Sequence, residues 1–76
     1  MQALSTVQPG ENYEIKWMFG VPEILDFLRL HQMKEGSRIR VIQRSAGGLI
    51  VGTEGYRLAL SNDIADPIQV SQGVFA

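Results

Sequence analysis

Residues 38–60 read Arg38-Ile39-Arg40-Val41-Ile42-Gln43-Arg44-Ser45-Ala46-Gly47-Gly48-Leu49-Ile50-Val51-Gly52-Thr53-Glu54-Gly55-Tyr56-Arg57-Leu58-Ala59-Leu60. From Arg38 the hydropathy alternates with a period of two, so Ile39 and Val41 face one way and Arg38, Arg40 and, beyond Ile42, Arg44 face the other. Ala46-Gly47-Gly48 and Glu54-Gly55 supply turn residues that tolerate tight reversal. The spacing therefore predicts a three-strand meander: a strand from Arg38, a second over Leu49-Ile50-Val51 and a third over Tyr56–Leu60.

Outward from the meander, residues 12–19 alternate after Pro9-Gly10, which predicts a further strand with Tyr13, Ile15 and Trp17 on one face. Gly20 breaks it. Pro22 suits the first position of a helix, where its missing N–H costs nothing, and Glu23 and Asp26 complement the dipole of that helix. Ile24, Leu25, Phe27, Leu28 and Leu30 recur at helical spacing, predicting an apolar stripe over one mouth of a sheet and an end near His31-Gln32. Ser61 or Asn62 caps a single turn over Asp63–Ala65, Pro67 stops it, and Ile68-Gln69-Val70 forms a last strand. About five short strands with one short helix after the first and a helical turn before the last make an all-β chain. Closure into a small SH3-like barrel would remove the edges an open sheet exposes.

The chain has 76 residues, which at the usual ~100–200 per domain predicts one domain over 1–76. A chain of this size buries only ~60% of its unfolded surface, so each apolar side chain counts. With 45% hydrophobic and 20% charged residues it has the composition of a folding chain. The absence of cysteine excludes disulfides, thiolate metal sites and a cysteine nucleophile. No apolar run approaches the ~20 residues of a membrane span and the amino terminus carries no leader pattern, so a cytoplasmic location and no membrane insertion are expected. A net charge of −1 lacks the positive field on which nucleic-acid binding relies.

With the strands placed, the chain resembles the FeoA family, the small SH3-like domains named ferrous iron transport protein A. Leu4, Val7, Gly10, Tyr13 and Ile15 resemble the family's opening, and Gly36, Ile39, Val41 and Ile42 its middle strand. The most specific likeness is the run Gly48, Leu49, Val51, Gly55, Arg57, Leu58, Ala59, Leu60, Ala65, Ile68 and Val70. The family usually ends its helix with a leucine–glycine pair, where this chain has His31-Gln32 instead. The resemblance implies a non-enzymatic accessory of ferrous iron uptake that contacts the cytoplasmic domain of the FeoB transporter. The same barrel occurs in diphtheria-toxin-repressor-type iron regulators, so a detached regulatory domain of that kind is the alternative, as is a small transition-metal-binding domain.

His31, the only histidine, reads as a helix-end residue, and the pairs Glu23/Asp26 and Asp63/Asp66 as capping and dipole groups; no catalytic residue, metal ligand set or cofactor is expected. His31 with Glu23, Asp26 or Glu35 makes a loose cluster without metal-ligand spacing. Candidate partner contacts are Arg38, Arg40, Arg44 and Arg57 on one outer strand face, and Trp17 and Phe19 in the run Trp17-Met18-Phe19, of which alternation buries only part. Strand edges left unpaired would allow a weak homodimer.

Overall fold

The computed structural model describes residues 1–73; residues 74–76, the end of the expected domain, lie outside them. The elements are β1 (Gln2–Ala3), a 3₁₀ turn (Leu4–Thr6), β2 (Asn12–Met18), α1 (Pro22–Leu30), β3 (Arg38–Ser45), β4 (Gly48–Thr53), β5 (Tyr56–Ser61), α2 (Asn62–Ala65) and β6 (Ile68–Gln72). All pairings are antiparallel in the order β1-β6-β2-β3-β4-β5. The meander stands where its alternation placed it. A sixth strand adds to the five expected, because two residues, Gln2 and Ala3, pair with Val70 and Gln69, too short a stretch to show a period. Among the described residues the ladder stops at β1 and β5, so hydrogen bonding does not close the ring.

Period-two alternation builds the core. Ile39 and Val41, Leu49 and Val51, Leu58 and Leu60, and Ile68 and Val70 all point inward and are buried together with Leu4, Val7, Tyr13 and Ile15. Tyr13 buries its ring while its hydroxyl accepts from the Gln8 backbone N–H at 3.2 Å, so the polar tip is satisfied. The 3₁₀ turn is tied to α2 by the Ser5 hydroxyl, which donates to the Asp66 carboxylate. Ser61 caps α2, its Oγ accepting from the Ile64 N–H at 3.4 Å.

Helix α1 begins at Pro22 behind Val21 and carries Glu23 in its first turn. Its end replaces the usual glycine without loss of the capping geometry: Gln32 itself takes φ 66°. The Gln32 N–H then donates to the Arg29 carbonyl at 3.2 Å and the Met33 N–H to the Leu28 carbonyl at 2.8 Å. These are the paired bonds of a Schellman cap, accompanied by burial of Met33 and Leu28. A non-glycine residue in this left-handed region costs ~1–2 kcal/mol, which the buried Met33 offsets.

Two bulges change which side chains face out. In β2 the register shifts between Ile15 and Trp17, with Trp17 opposite Gln69 and Met18 opposite Ile68. The extra residue reverses the alternation, so Met18 is 5% exposed and Trp17 50%. The expectation that Trp17 shares the inner face with Tyr13 and Ile15 is therefore corrected. In β3 the register shifts between Val41 and Gln43, after which Arg44 lies opposite Leu49 rather than on the side of Arg40.

An exposed apolar face beside the helix and an arginine row across the meander

The bulge in β2 delivers Trp17 to the surface and the strand ends at Met18, leaving Phe19 61% exposed. Phe19 lies on one wall of a cavity of about 190 Å³, with Val21, Ile24 and Leu28 from the helix side and Ile64 and Pro67 from the α2 side. Asp63 is the one ionised group on its rim. The Phe19 N–H donates to the Pro67 carbonyl at 3.2 Å, which fixes the backbone there while the ring stays free.

The helix buries less than its stripe predicts. Leu28 is fully buried and Ile24 and Leu25 pack partly against the core, but Phe27 is about half exposed and Leu30 73%. At 100° per residue the five apolar positions from Ile24 to Leu30 span roughly 220°, a wider arc than one sheet face covers. That excess was the available signal for Phe27 and Leu30 as surface groups, and the expectation that the whole stripe covers the sheet is corrected. Phe27 stacks on His31 with ring centroids 4.3 Å apart, and His31 meets the edge of Tyr56 at 5.0 Å. The His31 Nδ1–H donates to the Phe27 carbonyl at 2.8 Å, and Thr53 Oγ1 donates to the His31 carbonyl at 2.9 Å. His31 thus joins the helix end to the β4–β5 hairpin.

The arginines separate. Arg40 pairs in register with Gly52, and Gly52 with Arg57, so Arg40 and Arg57 flank a position without a side chain on the outer face. Ile42, partly exposed, leans its Cδ1 over Gly52. Arg38 lies two residues from Arg40 on the same strand, opposite Glu14 of β2. Arg44 does not join them: past the bulge it stands opposite Leu49, on the other face from Arg40, where it stays exposed and its guanidinium donates to the Val7 carbonyl at 3.1 Å, so its inclusion in one arginine face is corrected. Of the acidic residues, Asp66 is engaged by Ser5 and Glu35 by Arg29 at 3.8 Å. Among the described residues no three His, Asp or Glu side chains converge in a way that could hold a metal ion, and no helix is long and apolar enough to cross a membrane.

Comparison with known proteins places this geometry. An iron uptake regulatory protein, FeoA, superposes with a TM-score of 0.80 at 23% identity, covering 90% of this chain and 92% of that one. The FeoA protein from Chlorobium tepidum gives 0.86 at 19% identity, covering 93% and 70%. The manganese regulator SloR gives 0.80 at 20% identity over 95% of this chain but only 34% of its own. At these identities the likenesses establish the SH3-like fold. No protein of curated function matches in sequence. The FeoA domain model matches residues 2–72, nearly the whole chain, and on that match the chain belongs to the FeoA domain family.

Proposed function

We propose that this chain, as one domain over residues 1–76, is a non-enzymatic cytoplasmic accessory of ferrous iron uptake that works by binding the cytoplasmic domain of a FeoB-type transporter. Family membership supports the link to iron transport. The observation that carries a contact mechanism is the outward placement of Trp17 and of Phe19, the latter lining the cavity between α1 and α2. Large apolar side chains left exposed by the folded domain gain burial only from a partner, and aromatic groups in such positions dominate binding energy. Val21 extends the same surface, with Asp63 on its rim to set orientation. Arg38, Arg40 and Arg57 form a second, basic contact region, and Arg44 serves the fold through Val7.

Titration of the transporter's soluble cytoplasmic domain into this protein tests the reading. Phe19→Ser is expected to reduce affinity at least ~10-fold while leaving the melting temperature unchanged, since a central aromatic contact is worth ~2 kcal/mol or more. Equal affinities would refute it. A second reading, a detached regulatory domain of a metal-dependent repressor, draws on the equally good superposition on repressors, including a manganese-dependent one at TM-score 0.84. It predicts binding to a repressor's DNA-binding portion and none to the transporter.

A further inference from the structure

We propose that the free edge of β5 receives an extended, carboxylate-bearing segment of a partner protein as an added strand. The ladder sets which groups are available. Thr53 and Tyr56 flank the two-residue turn Glu54-Gly55 and pair with one another, and the register continues through Val51↔Leu58 and Leu49↔Leu60. In an antiparallel hairpin, bonded and non-bonded pairs alternate from the turn, so residues 56, 58 and 60 spend their N–H and C=O groups on β4. Arg57 and Ala59 turn theirs to the other side. That side is an edge of the sheet, since β5 ends the strand order, and both residues are exposed. No backbone bond to either from outside the ladder occurs among the described residues.

Charge selects the occupant. Arg40 and Arg57 lie in one row on the outer face, two strands apart or about 9–10 Å at Cα, with the glycine between them. Neither makes an ion pair among the described residues. A strand added beside β5 places its own outward side chain directly opposite Arg57, where a carboxylate is favoured. The small Ala59 leaves room for the next, beside a depression of about 340 Å³ floored by Gly48. A second copy of this chain suits the edge less well. Antiparallel pairing of two β5 strands about Leu58 sets Arg57 of each copy across from Ala59 of the other, so the two guanidinium groups share one face with no carboxylate between them. The β5 edge is a different surface from the apolar face and suits a different partner chemistry.

The test is an amide-resonance titration of the full chain with a capped octapeptide of alternating glutamate and valine, beside its lysine–valine counterpart. The glutamate peptide is expected to bind with a dissociation constant of about 1 mM or better and to shift Arg57 and Ala59 most. Ala59→Pro removes only an outward N–H and is compatible with an edge strand, so it is expected to keep the fold and weaken binding at least ~10-fold. Arg57→Glu is expected to invert the preference toward the lysine peptide, and it carries the test if Ala59→Pro does not fold. Phe19→Ser is expected to leave peptide binding unchanged, which separates this site from the apolar face. Shifts confined to other strands, no shift at several millimolar peptide, or indifference to peptide charge would overturn the proposal. So would a β5-paired dimer in sedimentation, or a single-stranded oligonucleotide that shifts Arg40 and Arg57 at lower concentration than the peptide.

Discussion

Replacing Gly48 by alanine places a methyl group where the structure has no room for one. A Cβ built at Gly48 falls 2.1 Å from the Leu60 carbonyl oxygen and 3.1 Å from Ser61 Cα, backbone atoms of the neighbouring strand that cannot rotate away. Relief to the 3.0 Å below which real Cβ contacts essentially do not occur requires the strands to part by at least 3.0 − 2.1 = 0.9 Å. That movement strains β4 against β5 and stretches the bond from the Asn62 N–H to the Gly47 carbonyl at 3.1 Å. Overpacking costs ~1–3 kcal/mol and a lost backbone bond ~0.5–1.5 kcal/mol, so a total near ~3 kcal/mol is expected. A domain of this length holds ~4–11 kcal/mol in all, and the loss translates into a fall in melting temperature of ~12–24 °C. Gly47 is the internal control, because nothing lies within 4 Å of a Cβ there. Gly47→Ala is expected to change stability by less than ~1 kcal/mol. Urea unfolding of both variants measures the difference. A Gly48→Ala protein within ~1 kcal/mol of the parent, or one indistinguishable from Gly47→Ala, would refute the reasoning.

Gln32→Gly is expected to stabilise the domain by ~0.5–1 kcal/mol in urea unfolding, because relief of left-handed backbone strain outweighs the added freedom of the unfolded chain. Met33→Ala removes the fully buried side chain behind that cap and is expected to cost ~2–5 kcal/mol, with amide exchange in α1 rising first. The β2 bulge predicts opposite outcomes for neighbours: Trp17→Lys keeps the melting curve within a few degrees, whereas Met18→Lys abolishes cooperative unfolding by burying an unpaired charge. Leu30→Glu, at an exposed helix position, is expected to leave stability within ~0.5 kcal/mol and to raise solubility, checked by unfolding and precipitation curves.

The meander was legible because alternation, turn glycines and strand length all agree from Arg38 to Leu60, and no competing helical period exists there. Pro22 and Ser61 marked helix starts through chemistry that acts within one turn. Register was not legible. A bulge is one unpaired residue, and its presence in β2 and β3 depends on what the partner strand offers, so strict alternation set Trp17 inward and Arg44 on the face of Arg40, whereas Trp17 is exposed and Arg44 stands opposite Leu49. The candidate surface was half visible for the same reason: Phe19 follows from the strand end, but Trp17 reaches the surface only through the bulge. The two-residue strand β1 is held by tertiary pairing alone, and Gln32 adopts a glycine-like conformation because buried Met33 and Leu28 hold the cap from both sides.

The surface that a transporter's cytoplasmic domain touches on this protein is open to direct measurement. Amide and indole resonances of the labelled chain, followed while that unlabelled domain is added, are predicted to change at Trp17, Phe19 and Val21 and to saturate at micromolar concentration. Spectra that stay unchanged at several hundred micromolar, or changes that leave the Trp17 indole and Phe19 untouched, would contradict it.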